Sequence, residues 1–408
     1  MGKKLSIGVS AVSHKGKKMS IGVNDVAHKV KKAWIGDASG KARIFWSSGG
    51  DKYFFAHSLL SGTINCSSFG DVSLGDLILS SFSGNYSPMY CCCVDGKYYV
   101  FVGVSFSLSS GASSYAACGY FYSTDLSQWT YVAFPSTLYT SDNIRKVHAV
   151  KYMNGRFVAM VSVKNTPYYG AYSLYAYEST DAITWTENGK IGGQTYDAAI
   201  TEMQYGNVAG AKGYFVAIEN SSNSAEFYSR DLITWTSISN NSRTMYGSCI
   251  DQNGDIVELI MEKGTGANNL YYFNLNNTNE YGNPIGASLY CSWGDSTRPA
   301  GGVIPVGTNG LAYIGHTSQS YTYKVVRFRD ATADTVMSSF SGFLVPNSRI
   351  ALIKGVYYFI YASSLTGQGG SPKNVNIRSS NDLINWTDKV FTTEGLKACT
   401  PVAFEENE

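Results

Sequence analysis

Runs that are apolar at almost every position recur along this chain, each opened by a turn pair. Asp95-Gly96 precedes Lys97-Tyr98-Tyr99-Val100-Phe101, Asn154-Gly155 precedes Arg156-Phe157-Val158-Ala159, and Lys354-Gly355 precedes Val356-Tyr357-Tyr358-Phe359. Looser copies are Lys212-Gly213-Tyr214-Phe215-Val216-Ala217, Asn253-Gly254-Asp255-Ile256-Val257, Asn309-Gly310-Leu311-Ala312-Tyr313 and Gly49-Gly50-Asp51-Lys52-Tyr53-Phe54-Phe55. Asn-Gly and Asp-Gly suit the two positive-φ positions of a tight hairpin, so each pair predicts a turn followed by a strand. A strand that is apolar on both faces predicts a sheet covered on both sides. Sheets stacked face to face around an axis meet that condition, and a sandwich with one wet face does not.

A second marker runs out of phase with the first. Ser-x-Asp-x-x-x-Trp-Thr occurs at Ser123–Thr130, Ser179–Thr186, Ser229–Thr236 and Ser380–Thr387. Weaker forms at Asp76, Asn276 and Asp330 complete a ladder, Asp76, Asp125, Asp181, Asp231, Asn276, Asp330, Asp382, with steps of 49, 56, 50, 45, 54 and 52 residues. One unit therefore reads as strand, Gly turn, strand, variable loop, strand, Ser-x-Asp turn, and a fourth strand opening with Trp-Thr. Four antiparallel strands in about fifty residues make a propeller blade. The prediction is an all-β chain: a seven-bladed β-propeller over 47–408, preceded by a short β-repeat arm over 1–46. Ala398–Phe404 falls where an eighth unit would begin, and is expected to pair with the first blade and close the ring, which removes open sheet edges.

The Ser-x-Asp-x-x-x-Trp pattern resembles the Asp box of sialidases and related propellers. The glycine usual in that motif is replaced by Leu126, Ala182, Leu232 and Leu383. Asp125, Asp181, Asp231 and Asp382 are expected to accept backbone N–H bonds inside their turns, not to act as acids or metal ligands. Trp129, Trp185, Trp235 and Trp386 are expected to fill apolar gaps beside them, with truncation costing about 3–5 kcal/mol. Four copies spread around a ring cannot converge on one substrate. Sialidase-like hydrolysis would need three arginines on a carboxylate, a Tyr–Glu pair and an aspartic acid. The chain has ten Arg in all, and Arg43-Ile44-Phe45 lacks the proline of the corresponding signature. The five His show no ligand spacing, and no nucleotide-type glycine pattern is present. No catalytic residue, metal or cofactor is assigned; a sialidase-like propeller glycoside hydrolase is the alternative.

Composition supports an ordered all-β body, with 42 Gly and 31 Tyr against 9 Pro. Eight Cys are scattered apart from Cys91-Cys92-Cys93, and consecutive residues on one strand point to opposite faces. They read as buried free thiols, which fits folding in a reducing compartment. No signal-peptide core and no long apolar run appear, so neither Sec export nor membrane insertion is expected. The strand-two to strand-three loops, Ser105 to Ala117, Val163 to Ser173 and Ser363 to Asn374, are rich in Ser, Gly and Tyr, a mixture suited to recognition. Tyr168, Tyr169 and Tyr172 are the candidate ligand-binding group, since aromatic faces suit sugars.

Net charge is +2, but it is unevenly placed: residues 1–46 hold ten Lys/Arg and two Asp/Glu, and the other 362 hold 22 and 28. The basic segment is a repeat with a step of 14. Lys3-Lys4, Lys17-Lys18 and Lys31-Lys32 open its units, and Ile7-Gly8, Ile21-Gly22 and Ile35-Gly36 follow in register. Each unit reads as a short strand, a turn and a short strand, as in Ser20-Ile21-Gly22-Val23, Asn24-Asp25, Val26-Ala27-His28. Units so small cannot bury a core alone and need a partner.

This run is similar to the Lys-Lys…Ile-Gly-Val…Val-Ala-His-Lys-Val-Lys-Lys repeats near the ends of tail and other structural proteins of phages and prophages of Gram-positive gut bacteria. The third unit departs from that pattern at Asp37-Ala38-Ser39-Gly40. The resemblance implies a virion protein of tail, tail fibre or baseplate, present in several copies and assembled in the host cytoplasm. The arm, through Lys17, Lys18, Ile21, Lys31, Lys32 and Ile35, would attach to other virion proteins. The propeller would contact a host-surface glycan, a receptor or a neighbouring tail protein. Fixed steps of Ile-Gly between the lysines suit a protein partner by strand addition, not nucleic acid.

Overall fold

A computed structural model describes residues 20–23, 26–29, 32–36, 42–47, 52–59, 63–69, 78–83, 86–107, 113–140, 144–164, 171–196, 199–220, 223–238, 243–262, 268–277, 289–293, 297–306, 310–317, 322–329, 332–345, 348–366 and 371–404. All regular structure among them is β. The chain divides into two compact units, Met1–Lys52 with Glu406–Glu408, and Tyr53–Glu405. The first holds two antiparallel hairpins. β1 (Ser20–Val23) pairs with β2 (Val26–Lys29), with Val23 opposite Val26; the predicted turn residues Asn24-Asp25 lie outside the described residues. β3 (Lys32–Gly36) pairs with β4 (Ala42–Ser47). Ile21, Lys32 and Ile35 lie on these strands; Lys17, Lys18 and Lys31 lie outside the described residues.

The second unit is a series of antiparallel meanders. The first contains β5 (Tyr53–Leu59), β6 (Thr63–Phe69) and β7 (Ile78–Ser83). The second is β8 (Ser87–Val94), β9 (Lys97–Ser107), β10 (Ser113–Ser123) and β11 (Thr130–Ala133). The third is β12 (Arg145–Met153), β13 (Arg156–Lys164), β14 (Ala171–Ser179) and β15 (Thr186–Tyr196). One residue pair, Ala117 with Val147, bridges these last two. The fourth is β16 (Ala199–Val208), β17 (Ala211–Asn220), β18 (Asn223–Ser229) and β19 (Trp235–Ile238). The fifth is β20 (Arg243–Ile250), β21 (Ile256–Glu262), β22 (Asn268–Asn274) and β23 (Leu289–Trp293). The sixth is β24 (Thr297–Val306), β25 (Gly310–Thr317), β26 (Thr322–Arg329) and β27 (Thr332–Ser341). In the last, β28 (Phe343–Leu344) and β29 (Ala351–Ile353) form one interrupted strand on β30 (Val356–Leu365), followed by β31 (Pro372–Ser380) and β32 (Thr387–Thr392). β33 (Leu396–Cys399) and β34 (Ala403–Phe404) then pair with β5 and complete the first meander from the other end of the unit.

Period-two alternation explains why the second strands are apolar throughout. On β13, Phe157, Ala159 and Val161 face the second meander, whereas Val158 and Met160 face the fourth. On β17, Val216 and Ile218 face the third meander, and Phe215 and Ala217 the fifth. The same split on β5 sends Phe54 and Ala56 to the second meander, and Tyr53 and Phe55 to the last, against Tyr358 and Ile360. Cores therefore lie between consecutive meanders, and one of them joins the last meander to the first.

Three of the seven predicted turns take the expected form; at Asn253-Gly254 only the glycine has positive φ, and Gly49-Gly50 and Asn309 lie outside the described residues. Asp95-Gly96, Asn154-Gly155 and Lys354-Gly355 take positive φ at both positions. Lys212-Gly213 does not form the expected turn. The chain reverses at Ala209-Gly210, which take φ of 49° and 85°, and Gly213 sits inside β17. A Cβ there would come within 2.7 Å of Ser229 O, so this glycine is required by close packing and not by a turn. The loops expected over 105–117, 163–173 and 363–374 are also shorter than the sequence reading, because β9, β10, β13, β14, β30 and β31 extend into them.

At the seam between chain ends, His57 is buried opposite Cys399 and packs on Phe55 and Phe391. Burial lowers its pKa to about 3. The unfolded chain takes up this proton near pH 6.5 and the folded chain does not, so stability is full above 6.5 and falls as pH drops towards 3. The expected slope is about 1.4 kcal/mol per pH unit from this residue alone. Urea unfolding at pH 7, 5.5 and 4.5 should show it, and His57→Phe should flatten the profile; an unchanged slope in the variant contradicts this account.

Candidate functional site

The four Ser-x-Asp turns are built alike. Asp231 Oδ1 accepts the N–H groups of Ile233 and Thr234 at 2.9 Å each and the Ser229 hydroxyl at 3.0 Å. Asp125, Asp181 and Asp382 do the same with Ser127 and Gln128, Ile183 and Thr184, and Ile384 and Asn385. These backbone bonds hold all four carboxyls below the ordinary carboxylate range. Each carboxylate is committed to its own turn, in a different meander. In the fifth meander Asn274 takes the role of Ser, accepting the Asn276 N–H at 2.8 Å, but Asn276 does not take that of Asp: its side chain accepts the Gly210 N–H and donates to Asp255. Asp76 and Asp330 lie outside the described residues.

The position that lacks glycine carries a cost. Leu126, Ala182, Leu232 and Leu383 adopt φ of 64°, 62°, 64° and 65°, the left-handed region that favours glycine. All four side chains are buried in the cores between meanders. The chain keeps the turn geometry of the motif and uses the extra side chain for packing. Trp129, Trp185, Trp235 and Trp386 pack against the same cores and are half-buried. Trp185, Trp235 and Trp386 donate their indole N–H to the backbone carbonyls of Ala182, Leu232 and Leu383. A half-exposed ring loses less on truncation than the full core range.

Of the tyrosine group, Tyr168 and Tyr169 lie outside the described residues. Tyr172 lies on β14 and not in the loop; it is buried, with the Lys146 ammonium 4.9 Å from its ring centre. The alternation Tyr172-Ser173-Leu174-Tyr175-Ala176-Tyr177 continues the strand outward past the expected boundary.

A different set of residues converges. A cavity of 910 Å³ is lined chiefly by the first strands of successive meanders, β8, β12, β16, β20 and β24, and by Val345 and residues 348–352 of the last. Each of those five strands carries a bulge, at Pro88/Tyr90, Val147/Ala149, Ile200/Glu202, Met245/Gly247 and Pro299/Val303. A bulge re-aims side chains and bends its strand, and bulges are enriched next to functional sites. The wall is mostly apolar, with Tyr90, Met203, Val303 and Ile350 among its residues. Its polar part is compact. Glu202 is buried and pairs with Arg349 of the last meander, whose side chain is 44% exposed. Ser248 Oγ donates to Glu202 Oε2 at 3.4 Å, and Gln204 Nε2 donates to Ser248 O at 3.0 Å. Lys151 Nζ donates to Met203 O at 2.7 Å; burial lowers its pKa, Glu202 opposes that and Arg349 adds to it. Cys249 also lines the wall, with its thiol pushed up by burial and by Glu202, so it is not a thiolate nucleophile.

Glu202 is the only carboxylate among the described lining residues. Glycoside hydrolysis of the usual kind needs two carboxyl groups flanking the bond. Lys151, Glu202 and Arg349 were not singled out in the sequence. Lys151 and Glu202 lie within first strands, β12 and β16, and Arg349 just before β29, so no shared sequence pattern marks them.

No family model and no curated protein matches this chain. Among solved structures it is similar to a protein from Lactobacillus plantarum, with 10% identity, a TM-score of 0.53, and 87% of this chain and 99% of that one covered. An alpha-L-arabinofuranosidase from Fusarium graminearum aligns at 11% identity and TM-score 0.41 over 72% of this chain and 94% of its own. A Trypanosoma rangeli sialidase aligns at 11% and 0.38 over 73% and 57%. The last two superpositions are too loose to speak to activity. Among the described residues the chain is an all-β protein of successive antiparallel sheets.

Proposed function

We propose that the body is a closed seven-bladed propeller that binds a ligand, and that the N-terminal repeat attaches it to a phage or prophage particle as a tail, tail-fibre or baseplate protein. The observation that carries the attachment is the 14-residue repeat, which forms hairpins in a unit of its own over Met1–Lys52. Two-stranded hairpins are marginal alone. Basic, apolar-studded strands find both burial and charge pairing on a protein with open strand edges and an acidic rim. The core shared by the last and first meanders supports closure of the ring. A compact polar cluster in a mostly apolar cavity supports binding. The ligand is a host-surface glycan, a receptor or a neighbouring tail protein. The hydrolase alternative would draw on Glu202, which the described cavity wall leaves without a second carboxyl.

Deletion of residues 2–40 tests the attachment. The shortened chain should fold and stay soluble, with the parent's far-ultraviolet spectrum, yet be absent from purified particles. Normal incorporation of the shortened chain overturns the reading. Tight binding of the isolated arm to duplex DNA at physiological salt would replace protein attachment with a nucleic-acid role.

A further inference from the structure

The charges in the cavity wall do not cancel. Lys151 and Arg349 face one carboxylate, Glu202, and their ionised forms leave the cluster at +1. Arg349 reaches Glu202 from the last meander to the fourth, 147 residues away in sequence. Its stem packs beside Gly302, at φ +83° in the β24 bulge, where a Cβ would stand 3.3 to 3.6 Å from Arg349 Cβ, Cγ and Cδ. The guanidinium is 44% exposed, and the carboxylate it pairs with is buried. A half-exposed arginine beside an open cavity has five N–H donors in a planar fork, a geometry matched to oxyanions.

We propose that Arg349 and the Ser248 hydroxyl form a seat for an oxyanion group on the propeller's ligand, that Lys151 adds positive charge beside it, and that Glu202 is an intramolecular stand-in that competes for that seat. The proposal rests on the reading of the body as a ligand-binding module, and it names the chemical class of the ligand. Glu202 shows what the seat accepts: two oxygens, one on the guanidinium and one on the Ser248 hydroxyl. A carboxylate or phosphate oxygen entering from the cavity meets the same donors. Apolar neighbours such as Met203, Val303 and Ile350 supply the low-dielectric wall that strengthens the contact. Competition sets the affinity, because every anion must displace a tethered one. Glu202 therefore acts against ligands that lack a strong anionic group.

The test uses the full-length chain and isothermal titration with glucuronate and glycerol phosphate, each against its neutral counterpart, glucose and glycerol. The parent should bind at least one anion and neither neutral compound, and the better of the two anions tells a carboxylate source from a phosphate source. Arg349→Gln should weaken that binding by about tenfold or more. Glu202→Gln, which keeps the shape and removes the competing charge, should strengthen it by about tenfold. A parent that binds no anion better than its neutral counterpart overturns the proposal. So does Arg349→Gln with undiminished affinity, or a folded Glu202→Gln that binds as weakly as Arg349→Gln, which would make Glu202 a positioner of the arginine. Melting curves report whether each variant folds; if Glu202→Gln does not, the half-exposed Arg349 variant decides alone. The particle experiment is independent: loss of anion binding leaves attachment standing, and failed attachment leaves this titration unchanged.

Discussion

A chain ending at Glu394 is expected to have no cooperatively folded body. β33 and β34 supply the first strand of the first meander from the far end of the sequence. Leu396, Ala398, Cys399 and Thr400 are fully buried there, and Val402 nearly so. Each large apolar side chain is worth about 1.5–3 kcal/mol of burial, so losing this set approaches the 5–15 kcal/mol that holds a typical domain together, by rough estimate. The loss would also bare β5, a strand buried at all seven positions, as an open edge. Thr400 is the polar pin of the seam. Its N–H donates to Ala56 O at 2.8 Å, its hydroxyl accepts Ala56 N–H at 3.0 Å, and the Cys91 thiol lies 3.1 Å from that hydroxyl. Thr400→Val keeps the shape and leaves Ala56 N–H without that acceptor, at a cost of about 1–3 kcal/mol. Thermal melts followed by circular dichroism check both; a truncated chain that melts like the parent would mean the ring does not close here.

Leu232→Ala should cost about 3 kcal/mol, and Leu232→Gly should cost no more. The first figure is the ordinary cost of removing a buried leucine. The second departs from the usual order, in which glycine is worse than alanine by about 0.5–1 kcal/mol. Leu232 holds φ at 64°, where an L-residue is strained by about 1–2 kcal/mol and glycine is not. Relief of that strain offsets the extra methyl and the backbone entropy. Urea unfolding of the two variants decides it: a glycine variant clearly less stable than the alanine one shows that the left-handed turn carries no strain.

These two sites mark how far the sequence could be read. The meander order, the hairpin at 20–29 and the closing strands were legible because they depend on local rules: φ at Asn154-Gly155, period-two burial along Phe157–Val161, and a Ser-Asp pair that satisfies its own turn. The displaced turn at Ala209-Gly210 was not, because Lys212-Gly213 has the same local look and only the neighbouring strand shows why Gly213 is small. Tyr172 was read as loop because Ser and Tyr are common to loops and strands alike. The cavity cluster was illegible for a different reason. Lys151, Glu202 and Arg349 belong to the third, fourth and last meanders, and no spacing rule relates them until the bulged strands turn their side chains into one cavity. Sequence periodicity identifies the repeating element; a site made from its exceptions appears only when the elements are assembled.

The proposed attachment is tested most directly by electron cryomicroscopy of purified particles of a phage or prophage whose genome carries this sequence, which should show several copies of the protein. Residues 1–46 should be laid as added strands on another virion protein, and the body should stand free of that contact. Particles that lack the chain, or that hold it by the body with the repeat exposed to solvent, would contradict it.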